Sequence, residues 1–255
     1  MTTLLEVQEL SRDFGGVRAV NQVDFQVREG EILALIGPNG AGKSTVLNMV
    51  SGVIPPSAGE IRFASKPMTK VPGYEYAGLG ITRTFQNLQT FDDMTVLENV
   101  MVGMHTKTSS SLFSCGMNLG KAKKEEKLME QKAHAWLGQV GLATESQRLA
   151  GSLPYGKLRL MEIARAMVAG PRLLLLDEPA AGLNHTETAE MSRMFCGIRD
   201  SGTAILLVEH DMDMIMTIAD RIVVLDQGTK IAEGTPREIQ ENPRVIAAYL
   251  GTEEE

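Results

Sequence analysis

The sequence predicts an α/β fold built on a mostly parallel sheet with helices on its faces. Three observations carry this. Short, wholly apolar runs at Ile32–Ile36, 173–176, Ala204–Val208 and 222–225 have strand length and no polar alternation, the mark of strands covered on both faces. Helical stretches separate them after 170, the alternation from which parallel sheets are built. The run Ile32–Ile36 ends in Gly37, and a helical pattern starts near Lys43, so strand, glycine loop and helix follow in direct succession.

Taken in order, residues 3–35 read as β-rich. Val23-Asp24-Phe25-Gln26-Val27 alternates apolar and polar at period two, and Gly15-Gly16 and Glu29-Gly30 punctuate the strands as turns. From about 95 to 170 the pattern turns helical. Thr95 with Glu98 three residues on forms a capping box. Residues 106–120 have little periodicity and read as a loop. Residues 121–137 form a charged amphipathic helix whose charge run is a solvated face, and 158–169 form another helix. After Gly170-Pro171 the buried-type strands return. Asp226-Gln227-Gly228 is a hairpin turn into a strand over 229–232. The helical stretch therefore interrupts one α/β domain. The expected division is 1–94 with 166–255 as the core and 95–165 as an inserted helical subdomain.

Of 255 residues, 43% are hydrophobic and 22% charged, which suits a packed globular core and not disorder. Lys plus Arg number 25 and Asp plus Glu 32, a net charge of −7. That balance lacks the basic field nucleic acid binding favours, and no nucleic acid partner is expected. Cys115 and Cys196 are too few for a disulfide framework or a zinc site, and a reducing compartment fits them. No apolar run approaches the ~18 residues of a membrane span. The opening MTTLLEVQEL carries no basic region or cleavage site, so no secretory leader is expected and any membrane role is peripheral. Met191, Met194, Met212, Met214 and Met216 are core filling, whereas Met94, Met101 and Met104 are candidates for a groove that takes a partner's helix.

Gly37-Pro38-Asn39-Gly40-Ala41-Gly42-Lys43-Ser44-Thr45 matches the phosphate-loop pattern in the context that pattern requires, after a strand and before a helix. Its glycines let backbone N–H groups turn toward phosphate oxygens, and the helix N-terminus adds positive partial charge. Lys43 reaches the β- and γ-phosphates, and the Ser44 hydroxyl ligates Mg²⁺. The run ending Leu176-Asp177-Glu178-Pro179 places two carboxylates at the carboxyl end of an apolar strand, where α/β sheets bind ligands. Asp177 suits Mg²⁺ coordination, and Glu178 suits a general base that positions water. A surface helix cap is the plainer alternative for the pair. His210 follows the strand Ala204–Val208, where an imidazole could bond a γ-phosphate oxygen or serve as an ordinary polar residue. His105, His134 and His185 take the ordinary reading.

In this order, the phosphate loop, Gln86, Leu153-Pro154-Tyr155-Gly156-Lys157, Asp177-Glu178 and His210 resemble the ATP-binding subunits of ABC transporters over nearly the whole chain. LPYG at 153–156, EIARAM at 162–167, LDEPAAGLN at 176–184, VEHDM at 208–212 and the tail EGTPREI…NPRVIAAYLG resemble the ATPases of branched-chain amino acid importers. The resemblance implies a P-loop NTPase core with an N-terminal antiparallel β subdomain and an inserted helical subdomain. It implies ATP and Mg²⁺, and ATP hydrolysis coupled to amino acid import. The implied partners are a second ABC ATPase subunit, in a homo- or heterodimer, two transmembrane permease subunits and, indirectly, a substrate-binding protein. The implied place is the cytoplasmic face of the inner membrane, with the isolated chain soluble.

Residue by residue, Phe14 matches the aromatic that stacks on adenine. Gln86 matches a glutamine that touches Mg²⁺ and the attacking water. Leu153, Pro154, Tyr155 and Gly156 match the signature that closes the opposite subunit's ATP, and Asn184 lies in the loop that crosses the dimer interface. Two departures stand out: Pro154 and Tyr155 replace the usual serine and glycine, and Asn184 replaces an aspartate. Other readings are an ABC importer of urea or amides, an exporter, a soluble iron–sulfur assembly ATPase, a DNA-repair ATPase and an inactive nucleotide-binding module. The absence of sustained heptads between Lys43 and Asp177 argues against the DNA-repair ATPase. Intact Lys43, Glu178 and His210 argue against the inactive module.

Overall fold

The computed structural model describes residues 2–85, 88–105 and 119–250. The strands in chain order are β1 (Thr3–Phe14), β2 (Val17–Arg28), β3 (Ile32–Ile36), β4 (Ala58–Phe63), β5 (Lys66–Pro67), β6 (Ile81–Arg83), β7 (Leu173–Asp177), β8 (Ala204–Val208), β9 (Arg221–Asp226) and β10 (Thr229–Gly234). The chain forms two compact units, 1–76 with 172–255, and 77–171. These limits differ from 95 and 165 because β6 and the turn before Thr95 group with the helices.

The first unit holds two sheets. One is antiparallel in the order β2-β1-β4-β5. The alternation read at 23–27 appears as buried Val23, Phe25 and Val27 between exposed Asp24 and Gln26. The other sheet runs β10-β9-β3-β8-β7 through this unit. β3 pairs in parallel with β8 and β9, and β7 with β8, while β9 and β10 form an antiparallel hairpin. Every residue of β3, β7 and β8 is buried, as continuous apolar runs require. Helices Lys43–Val50, His185–Asp200 and Met212–Ile218 follow β3, β7 and β8 in turn. The C-terminal helix Pro243–Leu250 buries Val245 in a cluster with Ala34, Ile36, Ile215, Ile222 and Val224. Ile36 is the last residue before the phosphate loop, so the tail packs beneath that loop's strand.

The second unit contains helices Val96–Val102, Leu119–Gln139 and Tyr155–Met167. The capping box at Thr95 forms in full, with Glu98 N–H donating to Thr95 Oγ1 and Thr95 N–H to Glu98 Oε2. The buried Asn99 side chain donates to the carbonyls of Phe91 and Thr95 and accepts from the Phe91 N–H, which fixes the chain entering this helix.

Several expectations need correction. The helix read at 121–137 already begins at Leu119, inside the expected loop, and the rest of that loop, 106–118, lies outside the described residues. The helix read at 158–169 spans Tyr155–Met167, because Pro154 supplies an extended N-cap and the first turn follows at once. Met104 is buried, so it lines no groove; Met191 and Met214 are buried as expected. Cys196 is a free thiol, and Cys115 lies outside the described residues.

Candidate active site

Parallel pairing sets the site. Leu35 of β3 lies opposite Val208 of β8, which lies opposite Asp177 of β7. The carboxyl ends of three adjacent strands therefore share one edge, and the residues that follow them, Gly37, Glu178 and Glu209-His210, come together there. In this sheet the chain leaves β3 toward β7, beyond β8, and leaves β8 the other way, across β3 to β9, so the edge between β3 and β8 is the switch point at which α/β sheets bind ligands.

The loop Gly37–Thr45 is shaped by two glycines with no substitute. Gly37 has φ +149°, and a Cβ there would run into the Leu225 carbonyl; Gly42 has φ +96°, and a Cβ would sit 2.6 Å from the Ala19 carbonyl oxygen. Pro38, Asn39 and Gly40 form the outer bend, which closes through the Ala41 N–H to the Pro38 carbonyl at 3.2 Å. Gly42 is the N-cap of helix Lys43–Val50 and offers no side-chain cap to the first-turn N–H groups. Lys43 is 6% exposed, and its Nζ donates to the carbonyls of Gly37 at 2.8 Å and Pro38 at 2.9 Å. Burial pushes its ammonium below the usual lysine value, and the charges of Glu178 and Asp177 push it back up. The cation is thus held within the loop and within the field of both carboxylates. Ser44 is exposed and Thr45 half-buried.

Asp177 is the buried last residue of β7. Glu178 leaves the strand with φ +49°, a left-handed conformation that costs about 1–3 kcal/mol for a residue with a side chain. The bonds that hold it are its own N–H to the Val208 carbonyl at 2.8 Å and the Ala181 N–H to its carbonyl at 3.2 Å. The result is a contact between Glu178 Oε1 and His210 Nε2 at 2.5 Å, with the side chains 18% and 46% exposed. A carboxylate and an imidazole thus meet beside the lysine loop, on the accessible side of the sheet edge. The reading of Asp177-Glu178 as a surface helix cap is overturned, because Asp177 ends the strand and Asn184 caps the next helix.

Sequence reasoning passed over Glu209. Its buried carboxylate accepts from the Ala180 N–H at 2.7 Å, the His210 N–H at 2.7 Å and the Asp211 N–H at 3.4 Å. It joins the loop that carries Glu178 to the loop that carries His210. The signal was available: an acid directly after a five-residue apolar strand must be buried, and a buried acid needs donors.

The other expected residues are placed as follows. Phe14 ends β1 and is 45% exposed, and the Arg12 guanidinium lies 4.7 Å from its ring centroid. Asn184 caps helix His185–Asp200, accepting from the N–H groups of Thr186 and Glu187. Aspartate and asparagine both serve that cap, so its departure from aspartate leaves the helix intact. Leu153, Pro154, Tyr155 and Gly156 belong to the second unit. Leu153 is buried, Pro154 is an extended N-cap with φ −59° and ψ 153°, and Tyr155 and Gly156 open the helix. Gln86 lies outside the described residues. The C-terminal helix also reaches the site, because the Gly37 backbone hydrogen-bonds Tyr249, whose hydroxyl is held above the usual tyrosine value by burial.

The comparisons with known proteins agree with this geometry. Residues 20–181 match the family model described as ABC transporter, and residues 229–255 match that of the branched-chain amino acid ATP-binding cassette transporter. The second match covers the tail singled out in the sequence. The chain is 45% identical over 249 residues to the high-affinity branched-chain amino acid transport ATP-binding protein LivG of Salmonella typhimurium, covering 97% of this chain and 98% of that protein. It is 44% identical over 251 residues to the corresponding protein BraF of Pseudomonas aeruginosa, covering 97% and 98%. A crystal structure of the ADP conformation of an ABC transporter cassette superposes with a TM-score of 0.86 at 31% identity, covering 98% of this chain and all of that one.

Proposed function

This chain belongs to the ABC transporter ATP-binding family, and from that premise we propose that it is the ATP-hydrolysing subunit of an importer of branched-chain amino acids. The observation that carries the catalytic part is the 2.5 Å pairing of Glu178 with His210 beside the Lys43 loop. The family match over 229–255 supports the solute class.

ATP binds with its β- and γ-phosphates in the loop 37–45. Lys43 exchanges the Gly37 and Pro38 carbonyls for phosphate oxygens, and the first-turn N–H groups at 43–45 complete the cradle. Exposed Ser44 and buried Asp177 supply one hydroxyl and one carboxylate. This donor set suits Mg²⁺ carried on substrate phosphates, with Gln86 as a third donor. When bound, the ion neutralises charge on the phosphates. Glu178 orients a water and accepts its proton as the bond to the γ-phosphorus forms and the bond to the β-phosphate oxygen breaks. His210 donates to a γ-phosphate oxygen as charge builds on it. Phe14 presents its free face to adenine.

Among the described residues no helix is long and apolar enough to cross a membrane. The similarity to branched-chain amino acid transport ATP-binding proteins supports a place at the cytoplasmic face of the membrane, on a pair of permease subunits fed by a substrate-binding protein. A second ABC ATPase subunit completes each site, with Pro154, Tyr155, Gly156 and Asn184 facing the nucleotide of that subunit and buried Leu153 packed behind the turn. The test is reconstitution of the chain with its permease subunits, partner ATPase and binding protein in vesicles. ATP-dependent uptake of radiolabelled leucine supports the proposal. ATP hydrolysis without uptake of leucine, isoleucine or valine refutes the solute assignment.

A further inference from the structure

Tyr155 stands where the family's signature has glycine, and it is part of a built network. Its hydroxyl accepts from Arg159 Nη2 at 2.9 Å, and the Arg159 guanidinium lies 5.6 Å from its ring centroid. Arg159 is 0% and Glu162 2% exposed, and the two pair at 3.0 Å. Both then grip one residue from another segment. Arg159 Nη1 donates to the Phe85 carbonyl at 2.8 Å, and the Phe85 N–H donates to Glu162 Oε1 at 3.3 Å. Arg165 lies 3.9 Å from the same carboxylate. A buried ion pair is rarely kept for stability alone, because apolar side chains of equal volume do as well. This one satisfies both backbone polar groups of Phe85 while its far end holds the side chain at the start of the signature helix.

We propose that Arg159 and Glu162 are positioning residues that couple the signature turn at Tyr155 to the backbone at Phe85, so that the two segments move as one when the turn meets ATP on the opposite subunit. The inference rests on the function proposed above, which places that turn against the partner's nucleotide. It also gives Tyr155 a role: the side chain that replaces glycine supplies the hydroxyl through which the turn is gripped. None of the four residues belongs to the phosphate loop, and changes confined to the Tyr155 hydroxyl and the Arg159 fork keep the backbone of the signature turn, so the loss should fall on turnover more than on ground-state nucleotide binding.

The test uses the assembled transporter with Tyr155→Phe, Arg159→Lys and both together. Tyr155→Phe removes one hydroxyl. Lysine keeps the charge beside Glu162 but lacks the fork that reaches Tyr155 and Phe85 at once. Each single change should lower kcat about three- to tenfold, the range of one hydrogen bond, with KM for ATP changed less than about twofold. The double variant should be no slower than Arg159→Lys, because both changes cut the same chain of contacts. Losses that multiply, or kcat equal to wild type in both single variants, overturn the coupling. If Arg159→Lys does not fold, amide hydrogen exchange of the full chain decides. Tyr155→Phe must then speed exchange at the Phe85 N–H, and an unchanged rate overturns the inference. A wild-type complex that hydrolyses no ATP would refute the proposed function itself; active wild type with silent variants refutes only this coupling.

Discussion

Replacing Glu209 by glutamine tests whether the two catalytic loops are joined as the structure has them. The glutamate oxygens take the Ala180 and His210 N–H groups at 2.7 Å each. Glutamine keeps one oxygen, so one of these N–H groups must face an NH₂ group in a buried site. A lost bond to a charged acceptor costs about 1.5–3 kcal/mol, and a stranded buried donor adds to it. A loss of about 2–3 kcal/mol in a chain of this size lowers the melting temperature by about 4–12 °C. The catalytic effect should be separable from the thermal one. Displacing the His210 loop by a fraction of an ångström misplaces its imidazole against Glu178, and turnover in the assembled transporter should fall about 10- to 100-fold with little change in KM for ATP. Thermal unfolding of the isolated chain and steady-state ATPase assays of the complex give the two numbers. A variant that melts and turns over like wild type would refute the bridge.

Three further outcomes are expected. Lys43→Ala deletes the loop's only cation and should weaken binding of a fluorescent ATP analogue about ten- to hundredfold, whereas unchanged affinity would remove Lys43 from the phosphate site. Val245→Ala empties part of the cluster beneath Ile36 and should cost about 1–3 kcal/mol in chemical denaturation; no loss would mean that the C-terminal helix does not pack there in solution. The carboxyls of Glu98 and Glu238 are held below the usual carboxylate value by the backbone and side-chain hydrogen bonds of Thr95 and Thr235. The unfolded chain binds those protons more tightly, so stability is present near neutral pH and falls as pH drops through the carboxylate range. The fall should be shallower in a Thr95→Ala, Thr235→Ala double variant, and an unchanged slope would contradict it.

The features legible in the sequence are those whose physics is local. Ile32–Ile36 and Ala204–Val208 were bounded to the residue because five consecutive apolar side chains, too few for a buried helix and flanked by turn residues, suit a strand covered on both faces. The phosphate loop was legible because its glycines and lysine are dictated by a backbone path nine residues long. Thr95 and Glu98 announced their helix because a capping box is closed within four residues. The helix at Tyr155 was read three residues late because Tyr155 and Gly156 are poor helix formers, and only the N-cap role of Pro154 reveals its start. Glu209 was missed because its decisive partner, Ala180, lies 29 positions away. Arg159 and Glu162 drew no separate reading within the helix at 158–169, yet they are buried and bonded to the backbone of Phe85, 74 and 77 positions earlier. Nothing along the chain marks which backbone groups a fold will bring to a side chain.

The most direct test of the account is Glu178→Gln in the complete transporter, measured as ATP affinity and ATP turnover on the same preparation. Glutamine keeps the size of the side chain and its contact with His210 Nε2, but it cannot accept the water's proton. Loss of a positioned base costs about 10²–10⁴-fold in rate. ATP binding should stay within about twofold of wild type, since it rests on Lys43 and the loop N–H groups, with hydrolysis and leucine uptake lost together over that range. Near-normal turnover by the variant would contradict the assignment of Glu178 as the base and, with it, the reading of the 178–210 pair as the catalytic centre.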